Sequence, residues 1–150
     1  MIEIALYQPD IPQNVGAAIR LCACLGVPMH IIHPCGFPWD QRKIKQSAMD
    51  YIDKVRLTQH DSWEAFCHSH ENRRLILMTT KSSLPYTAFS FQEGDILLAG
   101  RESAGVPEEI HQALEHRVTI PMFGQTRSLN IINATAMITG EALRQTGFSK

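Results

Sequence analysis

The chain has 150 residues, of which 44% are hydrophobic and 19% charged, and this composition predicts one ordered domain and excludes a disordered chain. The 14 Lys and Arg residues against 15 Asp and Glu residues leave a net charge of −1, which gives no electrostatic indication of a nucleic-acid partner. Because the sequence has neither a basic leader nor a run of about 18 apolar residues, we expect a cytoplasmic protein without a membrane span.

The first third of the chain predicts a strand, a helix and a second strand. The apolar run 2–8 has the length of a strand, and Asn14 stands where a helix N-cap belongs. Gly26 and Pro28 end the predicted helix, and residues 29–33 form the next strand.

The rest of the chain continues the alternation of helices and strands. Helical segments are expected around residues 41–52 and 62–70. The continuous apolar runs 74–80 and 95–100 are typical of parallel strands that are covered on both faces. Three further elements are predicted: a helix over 106–115, a strand over 118–122 and a last helix over 128–147. The alternation predicts an α/β fold in which helices sandwich a mostly parallel sheet.

The cysteines and histidines lack the spacing of a metal site. Two of the four cysteines fall in the first helix, where they would pack as small hydrophobic residues. The four are Cys22, Cys24, Cys35 and Cys67. No Ser/His/Asp order and no carboxylate pair stands out either, so the sequence disfavours a hydrolase or a metalloenzyme.

The loops after strands 74–80, 95–100 and 118–122 are expected to hold any ligand, because parallel sheets bind ligands at the carboxyl ends of their strands. Gly100 would let a ligand approach the backbone closely, and Glu102 follows it at the same edge. A tight turn before the next helix accounts equally well for these residues.

Two polar residues, Ser128 and Asn130, stand at the start of the last predicted helix. Either could cap that helix, and the free backbone N–H groups there would equally suit an adenosine or a carboxylate group. The glycine pattern is neither G-x-G-x-x-G nor a P-loop, so dinucleotide and nucleoside triphosphate binding are poorly supported.

Arg20 is the one cation within the otherwise apolar stretch 14–26. A guanidinium is costly to bury without a partner, so Arg20 must either meet an anion or reach the surface. The first and last helices are more apolar than a helix with one solvated face needs to be. Deep burial within one subunit and a two-fold interface between subunits both explain this pattern.

Three stretches, "IPQNVGAAIRL", "LLAGRESAGVP" and "IPMFGQTRSLN", follow one another in this order. Together they resemble the three motifs of the SPOUT superfamily of RNA methyltransferases, and most closely its short branch of tRNA wobble-nucleotide 2'-O-methyltransferases. The resemblance implies the SPOUT (α/β knot) fold with a C-terminal trefoil knot. It also implies a homodimer with the first and last helices at the interface.

The resemblance further implies a reaction. A methyl group would pass from S-adenosyl-L-methionine, without a metal, to the ribose 2'-hydroxyl of the wobble cytidine or modified uridine of tRNA, with leucine tRNAs as the expected substrates. S-adenosyl-L-homocysteine would be the product. Methylation of another RNA such as rRNA, a donor-binding RNA module without catalysis and a flavodoxin-like nucleotide-binding protein are the alternatives.

Carried over position by position, the resemblance implies a set of site residues. The donor would be held by Met78, Thr79, Gly100, Glu102, Ile120, Met122, Ser128 and Leu129. The catalytic group would be Arg20, supported by Asn14, with Ser128 and Asn130 orienting the site. We expect Arg20 to bind the substrate phosphate and to stabilise the developing alkoxide beside the donor.

The chain departs from the family pattern at three positions. Ile132 stands where many relatives have Ser, Gly140 where they have Tyr, and Arg101 where a small residue or Pro is expected. These changes leave the proposed catalytic and donor residues in place. They affect how the RNA base would be held.

Overall fold

The computed structural model describes residues 1–124 and 129–148. The strands are β1 (Glu3–Tyr7), β2 (Met29–Ile32), β3 (Leu57–His60), β4 (Leu75–Met78), β5 (Ile96–Ala99) and β6 (His116–Val118). The helices are α1 (Pro12–Leu25), α2 (Gln41–Ala48), α3 (Trp63–Ser69), α4 (Glu108–Ala113) and α5 (Ile131–Thr146), with 3-10 helices at Met49–Lys54 and Tyr86–Ala88.

The strands form one parallel sheet in the order β3-β2-β1-β5-β4-β6. The central strands β1 and β5 are almost entirely apolar and buried, as expected for strands with helices on both faces. The structure therefore confirms the predicted α/β sandwich with a parallel sheet.

Side chains alternate between the two faces of the sheet. The structure has two hydrophobic cores, one on each face. Ile4 and Leu6 of β1 point into the larger core, where they pack with Ile19 of α1. Residues of α2 and α5 complete this core. Tyr7 points to the opposite face, where it joins a smaller core around Phe66 of α3. The helices are thus divided between the faces, and the loops at the carboxyl ends of the strands are left open for a site.

Helix α1 begins three residues earlier than an N-cap at Asn14 would place it, so the prediction of Asn14 as the N-cap is wrong. The helix begins at Pro12, with Ile11 in the N-cap position. Proline is well suited to the first turn because its missing N–H would have no partner there. The predicted end is confirmed: Gly26 terminates α1 in the left-handed conformation, at φ 67°.

Two strand predictions differ from the structure. The sequence missed β3 (Leu57–His60), whose middle residues are exposed at the edge of the sheet and so give no continuous apolar run. The predicted strand over 118–122 is wrong in its bounds, because β6 ends at Val118. From Thr119 onward the chain leaves β4 and pairs with the segment 84–86 instead.

The remaining predictions concern cysteines, membrane spans and the knot. All four cysteines are free thiols, with Cys22 buried as expected but Cys24 exposed on α1. Within the described part of the chain, no helix is long and apolar enough to cross a membrane. The trefoil knot stays a prediction, because residues 125–128 lie outside the described part of the chain.

Candidate active site

A cavity of about 390 Å³ opens at the carboxyl ends of β4 and β5. The loops after β4, β5 and β6 and the first turns of α5 line it, which confirms the edge of the sheet that the sequence indicated. It brings together the predicted site residues Asn14, Met78, Thr79, Gly100, Glu102, Ile120, Met122, Leu129 and Asn130. Ser128 falls outside the described residues, and Arg20 is not among the residues that line the cavity.

The cavity has an apolar floor and a polar rim. Leu77 and Ala99, each 1% exposed, close its base with Ile138 of α5. Thr79 and Glu102 supply polar groups nearer its mouth. This combination suits a ligand with one flat apolar part and a few hydrogen-bonding groups.

Gly100 lies where the loop after β5 folds tightly back on itself. The backbone groups of Arg101 and Gly105 exchange hydrogen bonds of 3.2 and 2.9 Å, and Gly105 takes the left-handed conformation at φ 66°. A Cβ atom added at Gly100 would lie 2.7 Å from the carbonyl carbon of Gly105. Only glycine therefore fits at this point of the cavity wall without a shift of the backbone.

Glu102 joins this loop to the loop between β1 and α1. Its carboxylate accepts hydrogen bonds from the backbone N–H of Asp10 at 2.9 Å and from Nδ2 of Asn14 at 3.3 Å. The hydroxyl of Ser103 donates in turn to the Asp10 carboxylate. The side chain of Asn14, which the sequence placed at a helix cap, thus fixes a cavity residue instead.

The carboxyl groups of Asp10 and Glu102 influence each other's ionisation. Burial raises the pKa of Glu102, and a hydrogen bond with Asp10 raises it further. The same hydrogen bond is the main cause that lowers the pKa of Asp10. Glu102 is therefore the member of the pair that takes up a proton first as the pH falls.

Asn130 caps α5, which confirms one of the two roles considered for it. Its Oδ1 accepts from the backbone N–H groups of Ile132 at 2.9 Å and Asn133 at 3.3 Å. Asn130 also lines the cavity, so the residue that caps α5 stands on the wall of the candidate site. The cap and a contact with a ligand are thus compatible.

Arg20 lies on the exposed surface of α1 rather than in the cavity. It follows Asn14 by six residues, which is about 9 Å along a helix. Its guanidinium carbon lies 5.3 Å from the centre of the Tyr51 ring, a cation–π contact that leaves the charge hydrated. The single subunit therefore does not bring Arg20 beside the cavity, and its catalytic role stays a prediction.

The structure adds residues that the sequence did not indicate. Asp10 and Ser103 both belong to the network around Glu102. The only sequence signal that could have suggested it is an acidic residue three positions after the end of β1. Arg101 departs from the family pattern without entering the network: its Nε donates to the Gly105 carbonyl at 2.8 Å, and its guanidinium lies over the Tyr7 ring.

A family profile and several known proteins match this chain over nearly its whole length. The sequence profile of the family described as "SpoU rRNA Methylase" matches residues 1–140. The chain is 55% identical over 146 residues to a tRNA (cytidine(34)-2'-O)-methyltransferase of Beijerinckia indica, which covers 96% of this chain and 91% of the relative. It is 41% identical over 150 residues to the enzyme of that name in Escherichia coli (strain K12), with 99% and 96% covered.

A solved structure described as giving structural insights into the 2-OH methylation of C/U34 on tRNA superposes with a TM-score of 0.91. It is 40% identical to this chain, and the match covers 97% of this chain and 95% of that one. The fold described above is therefore shared over nearly the full length of both chains.

Proposed function

Because this chain belongs to the SpoU rRNA methylase family, we propose that it transfers a methyl group from S-adenosyl-L-methionine to the ribose 2'-hydroxyl of nucleotide 34 in tRNA. The observation that carries the proposal is the cavity at the carboxyl edge of the sheet, with the predicted donor residues on its wall. Identity of 55% to a relative named for this reaction supports the choice of nucleotide.

The cavity fits the methyl donor. Its volume of about 390 Å³ lies within the usual range for small-molecule sites. The apolar floor suits an adenine ring, and Gly100 lets the backbone approach the ligand closely. Met78, Thr79, Ile120, Met122 and Leu129 line the same space. When bound, S-adenosyl-L-methionine supplies a methyl group on a positively charged sulfur, which needs no metal to activate it.

The protein's task is to orient the ribose and to manage its proton. The 2'-hydroxyl oxygen accepts the methyl group in line while S-adenosyl-L-homocysteine leaves. The hydroxyl proton passes to solvent water, so negative charge develops on that oxygen during the attack. A guanidinium keeps its own protons, so Arg20 serves as an electrostatic partner rather than as the base. It binds an RNA phosphate next to nucleotide 34 and stabilises the developing charge. Asn14, Ser128 and Asn130 orient the ribose.

The exposed apolar residues support a homodimer through α1 and α5. Met137 of α5 is 43% exposed and Phe148, just beyond it, is 56% exposed. Ile11, at the start of α1, is 41% exposed. A two-fold interface would cover these side chains. Since α1 carries Arg20 away from its own cavity, Arg20 serves the cavity of the second subunit in this dimer.

The protein recognises its tRNA substrate through local contacts rather than through a broad positively charged surface. Because the net charge is −1, we expect the protein to contact only a few tRNA phosphates. The affinity for tRNA should therefore fall only modestly as the salt concentration rises. Leucine tRNAs are the expected substrates within this proposal. The same donor site would serve methylation of another RNA, such as rRNA, or a module that binds the donor without catalysis.

Incubation of the purified protein with S-adenosyl-L-methionine and unmodified tRNAs tests the proposal. Mass spectrometry of nuclease fragments should place a new 2'-O-methyl group at nucleotide 34, first in leucine tRNAs. A methyl group found only on rRNA, or elsewhere in tRNA, would overturn the choice of substrate. Donor binding by calorimetry without any methylated RNA would support the non-catalytic module instead.

A further inference from the structure

A second polar cluster lies on the sheet face covered by α3, which is the face opposite to α5. It consists of Glu3 at the start of β1, His30 of β2, His60 of β3 and His70 just after α3. His30 is only 6% exposed and His60 only 8%. Nothing in the proposed methyl transfer uses these groups.

Specific hydrogen bonds hold the cluster together. His30 Nε2 lies 2.6 Å from Oε1 of Glu3, and His30 Nδ1 lies 2.9 Å from Nε2 of His60. His70 Nδ1 lies 2.9 Å from the carbonyl oxygen of Phe66. Because a carbonyl only accepts, Nδ1 of His70 is the protonated nitrogen, and its Nε2 carries a lone pair.

We propose that Glu3, His30 and His70 form a binding site for a divalent transition metal ion of the zinc class. One potential ligand atom from each residue lies within 4.8 Å of the other two. Ligands of a tetrahedral zinc ion lie about 3.3 Å apart, as follows from bonds of about 2.0 to 2.1 Å. Side-chain shifts of about 1 Å would therefore close the site.

The types of ligand atom in this cluster favour zinc over magnesium and calcium. Two imidazole nitrogens and one carboxylate with a fourth position open are a common zinc arrangement. Magnesium and calcium prefer ligands that are all oxygen, so they fit poorly. The ion would link β1, β2 and the end of α3, and it would stabilise the fold rather than take part in the methyl transfer.

Each proposed ligand residue has a hydrogen-bond partner that would orient it on the side away from the metal ion. His70 donates to Phe66, and the second oxygen of Glu3 accepts from Nη2 of Arg73 at 2.8 Å. His60 is the corresponding partner of His30. Outer partners of this kind are typical of metal-binding histidines and carboxylates.

Metal binding at His30 requires its proton to move. When the His30 ring is neutral, Nε2–H donates to the Glu3 carboxylate, which only accepts, and Nδ1 then accepts from Nε2–H of His60. On binding, the proton of His30 leaves Nε2 for Nδ1, and Nδ1–H then donates to Nε2 of His60. His60 correspondingly carries its proton on Nδ1. Both rings stay neutral, and no proton is released overall.

Titration of chelator-treated, tag-free protein with zinc chloride tests this site. The variant His70→Phe keeps a ring against Phe66, whose centre lies 4.7 Å from that of His70, and removes one ligand. The matched control is His68→Phe, two residues earlier in the last turn of α3, where the side chain is 86% exposed. Calorimetry should give one zinc ion per chain, bound at least about tenfold more weakly by His70→Phe and unchanged in the control.

Thermal unfolding supplies a second measurement that does not depend on enzyme activity. Zinc should raise the unfolding temperature of the wild type and of His68→Phe, and it should raise that of His70→Phe much less. Methyl transfer by His70→Phe should equal that of the wild type. Absence of stoichiometric zinc binding, or an equal loss in both variants, would overturn the proposal.

Discussion

The backbone N–H of Asp10 donates a 2.9 Å hydrogen bond to Glu102, and it joins two loops that lie 92 residues apart in the chain. Asn14, in the first turns of α1, adds a bond to the other oxygen of the same carboxylate. The position of α1 therefore depends on a residue in the wall of the donor cavity. Since α1 also carries Arg20, Glu102 connects the two parts of the proposed site.

Replacement of Glu102 by Ala should therefore loosen both loops. It leaves the N–H of Asp10 and the amide of Asn14 without their acceptor, which costs about 1 to 3 kcal/mol of unfolding free energy when such groups are buried. We expect weaker donor binding as well as lower stability. Urea unfolding and calorimetry with S-adenosyl-L-methionine measure these effects. The control Glu115→Ala, at an exposed carboxylate, should leave both unchanged.

The pair of carboxyl groups gives a prediction about ionisation. Asp10→Asn removes the negative neighbour that helps to raise the pKa of Glu102, so Glu102 should lose its proton at a lower pH than in the wild type. NMR of isotope-labelled glutamate side chains would follow the titration directly. Asp61→Asn, at an exposed residue in the loop before α3, should not move it. An unchanged midpoint in Asp10→Asn would contradict the coupling.

Gly100 and Gly140 form a natural pair of variants. Gly100→Ala places a Cβ 2.7 Å from the backbone of Gly105, so the loop must shift and donor binding should be lost. A Cβ at Gly140, inside α5, meets nothing within 4 Å. Gly140→Ala should therefore add about 0.5 to 1 kcal/mol of stability and leave donor affinity unchanged. Full donor affinity in Gly100→Ala would refute the close approach at this loop.

The sequence predicted those elements whose local signal is strong. The strands β4 and β5 are continuous apolar runs because helices cover both of their faces, and Gly26 ends α1 through its own backbone preference. It missed β3 because an edge strand with exposed polar residues lacks that signal.

The sequence predicted most residues of the candidate site but not the hydrogen bonds that join them. Resemblance to a family indicated Glu102, and the structure places it in the cavity. The bond from Asp10 to Glu102 depends on how distant loops meet, which no local pattern encodes. For the same reason Asn14 looked like a helix cap, although its partner lies 88 residues away.

Asn130 combines a structural and a proposed functional role, and two variants separate them. Asn130→Ala removes the cap of α5, so stability should fall by about 1 kcal/mol. For a chain of this size, this lowers the unfolding temperature by about 2 to 4 °C. Asn130→Asp keeps an acceptor for the cap and should restore stability. If the side-chain amide also orients the ribose, methyl transfer by Asn130→Asp should remain low, whereas full activity would leave only the cap.

The exposed position of Arg20 predicts that it works across the dimer. Arg20→Ala and Gly100→Ala should each be inactive as homodimers, the first without the phosphate contact and the second without donor binding. Donor affinity should persist in Arg20→Ala, because Arg20 does not line the cavity of its own subunit.

A mixed dimer of these two variants, purified with two different affinity tags, separates the two arrangements. If Arg20 serves the second subunit, the intact cavity of the Arg20→Ala chain receives the arginine of the Gly100→Ala chain, and each mixed dimer has one working site. If Arg20 serves its own subunit, neither cavity has both parts and no methyl group is transferred. Measured transfer to tRNA therefore decides between them, and a monomer in light scattering would contradict the dimer itself.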